Sequence, residues 1–204
     1  MLPHDRSNDE CPSNRTDWAY RTSDCLAATA VEVYVRLPGA YVLRNLQHLL
    51  PSWTAPTIWN AIVLQQAELS LVQPTPQVNA EKDRLRERFL ALGRSLSEGL
   101  RARRYGIEIV DPRTGYPHLG RRGDRRHDDV TAVATALNFE VDGDVCSYLV
   151  HPEWGAAVYP SVLFSAADST ILQPLFHAAA RASGWVEADA NELVLYTAPA
   201  SRST

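Results

Sequence analysis

Residues 142–165 read Asp142-Gly-Asp-Val-Cys-Ser-Tyr-Leu-Val-His-Pro-Glu-Trp-Gly-Ala-Ala-Val-Tyr-Pro-Ser-Val-Leu-Phe-Ser165, and this run decides the fold. Asp142-Gly143-Asp144 has the chemistry of a two-residue hairpin turn. Val145 to Val150 then reads as a strand, His151-Pro152 and Trp154-Gly155 as a rigid corner, and Ala156 to Ser165 as a further strand. Pro160 lacks an N–H, so it marks that strand as an edge or a bulge. Upstream, Val133 to Val141 reads as a third strand. Three consecutive strands without a helix between them fit an α+β fold better than a doubly wound sheet.

Working outward, Val31, Val33, Val35 and Leu37 alternate with Glu32, Tyr34 and Arg36, the pattern of a half-buried strand. Pro38 suits a first helical turn, and Tyr41, Val42, Leu46, Leu49 and Leu50 form an apolar stripe that Pro51 stops. Ile58 to Leu64 is apolar enough for a central strand. After a proline-bearing connection, Leu85, Phe89, Leu92, Leu96 and Leu100 share one face of a helix whose other face carries Lys82, Arg84, Arg86, Arg88, Arg94, Glu98 and Arg101. Gly106 is read as its end, followed by a strand from Ile107 to Val110 and the turn-forming run Asp111-Pro-Arg-Thr-Gly-Tyr-Pro-His-Leu-Gly120. Arg121 to Asp129 reads as a self-neutralising, solvated loop. A helix over Ser169–Ala182, capped by Asp168 or Ser169 and ended by Gly184, and a strand over Leu193–Tyr196 complete the chain. Residues 1–27 are polar and lack a hydrophobic period, which predicts a flexible lead-in, then one domain over 28–198 and a short tail over 199–204.

The composition narrows the function classes. With 204 residues, 45% hydrophobic and 22% charged, the chain suits one soluble domain. A net charge of -4 offers no general attraction to nucleic acid or to anionic membranes. No run approaches the roughly 20 apolar residues of a membrane span, and the N-terminal residues lack the apolar core of a secretory leader. Cys11, Cys25 and Cys146 are too few and too scattered for a disulfide framework, so a cytoplasmic setting is expected.

Glycine-rich dinucleotide and phosphate loops and the nucleophile elbow of hydrolases are absent from the sequence. Cys146 and His151 lie five residues apart, but one cysteine and one histidine do not make a four-ligand zinc site. The pair could also serve a cysteine-dependent hydrolase or transferase, which requires the two within hydrogen-bond reach and a third group to orient the histidine.

From about Val31 to Leu175 the chain resembles the methylmalonic aciduria and homocystinuria type D family, the CblD-type cobalamin trafficking proteins. The resemblance is carried by Gly99-Leu-Arg-Ala-Arg-Arg-Tyr-Gly106, Asp111-Pro-Arg-Thr-Gly115, Asn138-Phe-Glu-Val-Asp142, Cys146, His151 with Trp154-Gly155, and Phe164-Ser-Ala-Ala-Asp168. It implies a modified nitroreductase-like fold, with a mixed or antiparallel sheet flanked by helices, that has lost flavin reduction. It further implies an adaptor without enzymatic turnover, acting on cobalamin (vitamin B12) together with a CblC-type cobalamin-processing chaperone. Delivery toward methionine synthase and methylmalonyl-CoA mutase follows from the same resemblance, as do Cys146, His151, Trp154 and Gly155 as cofactor-binding residues. A flavin-dependent nitroreductase relative is the competing expectation.

The chain departs from the family where it matters. Members carry Gly-Cys-Cys where this chain has Asp144-Val145-Cys146, and the hairpin is one residue shorter, so Cys146 aligns with either cysteine of the pair. Because successive strand residues face opposite sides, that single residue decides which way the sulfur points. A thiolate is a soft ligand that cobalt accepts, whereas a thiol is a poor one. His151 and the arginines of residues 121–126 are the cationic neighbours the sequence offers. For His151 and Trp154, a purely structural strand-connecting corner is the alternative to a role in the site.

Overall fold

The computed structural model describes residues 17–21, 30–143 and 147–185. Its centre is a five-stranded antiparallel sheet formed by β1 (Asp17–Arg21), β2 (Ala30–Arg36), β3 (Trp59–Gln66), β4 (Ile107–Ile109) and β7 (Val158–Ser165), in the order β1-β2-β3-β7-β4. A separate hairpin pairs β5 (Glu140–Asp142) with β6 (Tyr148–Val150). The helices are α1 (Ala40–Arg44), α2 (Leu46–Leu49), α3 (Pro76–Ala102), α4 (Asp129–Leu137) and α5 (Ser169–Ala182). The class is α+β, as the consecutive strands imply.

Both faces of the sheet are covered, which explains why β3 is apolar at every position from Ala61 to Leu64. Ala61 and Val63 join Val31, Val33, Val35 and Leu163 beneath α3 and α5, where Phe89, Leu92, Leu96, Leu172 and Phe176 lie. Ile62, Leu64, Val162 and Phe164 meet a second layer built from Val42, Leu49, Trp53, Val133 and Leu149. The five residues of the α3 stripe are each fully buried, and each contributes about 1.5–3 kcal/mol by leaving water. Thr75 caps α3 by accepting the Val78 N–H, with Pro76 in the first turn. Asp168 caps α5 through the amides of Thr170 and Ile171, and Gly184 follows at φ 70.

The structure corrects several sequence expectations. The span Val133–Val141 is not one strand: α4 occupies its first half and β5 its end. Asp128 accepts the Thr131 N–H and its hydroxyl, and Asn138 closes the helix at φ 56, so two local caps override the β-branched composition. The expected helix after Pro38 is broken at Asn45, whose side-chain amide donates to the Tyr41 carbonyl and competes with the helical ladder. Helix α3 ends at Ala102 rather than at Gly106, with Arg104 in the left-handed region at φ 63 and Tyr105 N–H returning to the Leu100 carbonyl. Within the segment read as a lead-in, Asp17–Arg21 pairs with β2 as an edge strand. Strand β7 has neighbours on both sides, so Pro160 does not place it at an edge. Val162 turns its carbonyl to Val110, and Pro160, two residues earlier, faces the same flank beyond the reach of β4, so no ladder donor is missed. The strand expected at Leu193–Tyr196 lies outside the described residues. Among the described residues no helix is long and apolar enough to cross a membrane.

Candidate functional site

Two places gather polar chemistry. The first is the corner after β6. His151 N–H donates to the Gly155 carbonyl and Gly155 N–H returns to His151, closing a tight turn. Gly155 sits at φ 55, a conformation glycine adopts without steric cost. Inside the turn, His151 Nδ1 accepts the amides of Glu153 and Trp154, each at 3.2 Å. An accepting Nδ1 puts the proton on Nε2, which donates to Glu32 Oε2 at 3.1 Å. Trp154 stacks on the imidazole at 3.9 Å, and Phe139 meets it edge-on at 5.3 Å.

His151, Trp154 and Gly155 are therefore brought together as the sequence reading grouped them. Cys146 lies outside the described residues. The imidazole is 3% exposed and both of its nitrogens are engaged, so it holds the corner onto β2 and has no free nitrogen to offer a metal in this arrangement. The corner also explains why Tyr34 is buried although β2 reads as solvated on that side: the Tyr34 hydroxyl donates to Glu32 under the same cover. Among the described residues no group of three or more His, Cys, Asp and Glu side chains could hold a metal ion.

Burial opposes ionisation of Glu32, but the hydrogen bonds from His151 and Tyr34 outweigh it and hold the carboxyl below its ordinary value. A carboxyl whose pKa is lowered by folding stabilises the protein above its unfolded pKa, about 4.3, and loses that contribution as pH falls through the folded value. The parent is therefore expected to lose more stability between pH 6 and pH 3 than Glu32→Gln, which keeps an acceptor for His151 but does not titrate. Urea midpoints at the two pH values check this, and equal losses in both proteins would contradict it.

The second place is a groove of about 730 Å³ between α3, the turn after β4, the start of α4 and strands β6 and β7. The turn is rigid: Arg86 grips Asp111 with two 2.7 Å bonds, and Asp111 also accepts the Arg113 amide. Arg86 holds the Asp111 carboxyl below its usual value against the opposing effect of burial. Gly115 stands at φ 70, packed against the His127 backbone. His127 Nδ1 lies 2.7 Å from Asp129 Oδ1, both side chains being nearly sealed from solvent. Burial pushes the Asp129 carboxyl up, and the bond with His127 only partly counters this.

Sequence reasoning missed this pair, because Arg121 to Asp129 looked uniformly solvated. The legible signal was the Asp128-x-x-Thr131 cap, which begins a helix and so turns the preceding histidine inward. Three of the four arginines of that loop make local contacts. Arg122 covers the Tyr116 ring, Arg125 donates to Asn45, and Arg126 donates to the Thr114 carbonyl. A further pocket of about 640 Å³ beside Trp53 and Glu108 has its carboxylate already occupied, since Glu108 Oε1 accepts the amides of Ile109, His118 and Leu119.

The profile of the family described as methylmalonic aciduria and homocystinuria type D protein matches residues 6–175, which takes in every motif that carried the resemblance. Two curated relatives bear the name cobalamin trafficking protein CblD, one from Mus musculus and one from Rattus norvegicus. Each is 24% identical over 148 residues, covering 71% of this chain and 50% of the relative. The chain thus spans about half the length of the curated relatives it matches. These relatives lend no support to a flavin-dependent reductase.

Proposed function

Because the chain belongs to the methylmalonic aciduria and homocystinuria type D family, we propose that it is a cobalamin trafficking adaptor, acting by protein contact and metal coordination rather than by turnover. The observation that carries this reading is the family match itself, whose span, residues 6–175, takes in the sheet, the corner and the groove. Cobalamin is the cargo. On this reading the α+β fold is a modified nitroreductase-like one that has given up flavin, and the protein works in the cytoplasm. Its partner is a CblC-type processing protein, and its cargo is destined for methionine synthase and methylmalonyl-CoA mutase.

Within the chain, the proposal assigns cobalt coordination to Cys146 alone. A deprotonated sulfur is a soft donor matched to cobalt. His151, whose nitrogens are engaged by Glu32 and by two backbone amides, is assigned the task of fixing the corner that follows β6. Trp154 and Gly155 complete that corner and support the cargo site through it rather than by touching the metal.

The reading is tested by mixing the full chain with a cobalamin-loaded CblC-type protein under reducing conditions. The expected result is comigration of the two proteins on gel filtration with an altered cobalt absorption spectrum. Separate elution with the spectrum of the loaded partner unchanged would overturn it.

A further inference from the structure

Of the 20 basic Lys and Arg residues in the chain, only Lys82 is a lysine. It stands on α3, half-buried, on the wall of the 730 Å³ groove, and it makes no hydrogen bond or ion pair with another described residue. A lysine in that position is a compact charge with three rotatable donors, the form in which the residue binds phosphate. Arg126, across the groove, spends Nε on the Thr114 carbonyl and has no carboxylate partner among the described residues.

The acids of the groove are already engaged. Asp83 is paired with Arg113 at 2.7 Å. Asp128 is used by the cap of α4. Asp129 is bonded to His127 and drawn toward its neutral form by burial. Lys82 and Arg126 thus carry no bonded carboxylate, although Asp128 keeps its own charge nearby, and the first turn of α4 adds the unpaired amides that every helix start presents.

A further sign comes from the buried pair. His127 lines the groove with its side chain 3% exposed, and its Nε2 has no hydrogen-bond partner. A buried polar atom without a partner is costly and calls for an explanation, of which a missing ligand is one. The Tyr159 hydroxyl, on a ring that is itself buried, is a donor with no hydrogen bond to another described residue. The lining also has an apolar part, in which Leu71, Leu149 and Val158 stand, all nearly buried.

We propose that this groove binds a small organic phosphate, its phosphate held by Lys82, Arg126 and the start of α4 and its carbon skeleton lying on the apolar wall. The groove's lining includes Ser147, next in sequence to Cys146, but the test of this site does not involve cobalamin.

Phenyl phosphate is the probe. In protein labelled with 15N-lysine, Lys82 gives the single lysine amide signal, and that signal is expected to shift saturably as the probe is added. Calorimetry should show binding at least tenfold weaker in Lys82→Gln with Arg126→Gln, and weaker also in Lys82→Gln alone, which breaks no internal bond. Benzoate should bind at least tenfold less tightly than phenyl phosphate, and benzyl alcohol not at all. Absence of saturable binding, or binding undiminished by Lys82→Gln, would overturn the site. Benzoate binding as tight as phenyl phosphate would overturn the assignment to phosphate.

Discussion

His151→Ala is expected to lower the unfolding free energy by about 3 kcal/mol, because it removes a buried ring and orphans its partners together. The amides of Glu153 and Trp154 lose their acceptor, Glu32 loses its donor, and Trp154 loses the ring it stacks on. His151→Gln, which restores a donor toward Glu32 but not the stacked ring, should recover part of the loss. Denaturant midpoints at neutral pH measure both variants. A His151→Ala variant as stable as the parent would mean that the corner is held by its backbone bonds alone. That outcome would return the imidazole to the list of groups available for binding.

A comparable loss, about 3 kcal/mol, is expected for Gly115→Val, and it has two separable sources. Gly115 stands at φ 70, and a Cβ placed there would lie 2.4 Å from the His127 carbonyl oxygen, which is backbone and cannot swing aside. Gly155 provides the control. It has a similar φ of 55, yet a Cβ there meets nothing within 4 Å. Gly155→Ala should therefore cost only about 1 kcal/mol, the conformational part alone. If thermal melts place the two variants at equal stability, steric contact with the His127 segment is not what Gly115 avoids. If they separate as expected, Gly115→Val should also weaken the groove, since His127 N–H donates to the Gly115 carbonyl.

What was legible in the sequence was whatever a local pattern decides. The stripe from Leu85 to Leu100 could only be a helix buried on one side, and the Asp168 cap with Gly184 bracketed α5 to the residue. The apolar density of Ile58 to Leu64 announced a strand covered on both faces. What stayed hidden was set by partners distant in sequence. Val130, Thr131, Val133 and Thr135 favour a strand on composition, and only the caps at Asp128 and Asn138 turn them into α4. Asp17–Arg21 carries only the short alternation of Trp18 and Tyr20 inside a long polar run, yet β2 pairs with it through backbone bonds that composition does not encode.

The site divides the same way. The grouping of His151, Trp154 and Gly155 was readable because five consecutive residues make the corner. Its anchor, Glu32, lies 119 residues away and had no sequence signal. The groove was hidden for the same reason, since Lys82 and the His127–Asp129 pair meet only through the packing of α3 against the turn after β4. The one clue in the sequence was a count: a single lysine in a chain that otherwise uses arginine.

The assignment of cargo coordination to Cys146 is the central claim, and the cobalt absorption spectrum of the Cys146→Ser protein mixed with a cobalamin-loaded CblC-type partner tests it most directly. A serine hydroxyl is a hard, weak ligand beside a thiolate. The account predicts that the variant melts as the parent does and still comigrates with the partner, while the cobalt–sulfur signature seen with the parent is lost. A spectrum identical to the parent's, with stability lowered by the roughly 1–3 kcal/mol expected for a hydroxyl buried in place of a packed thiol, would contradict it and make Cys146 a core residue.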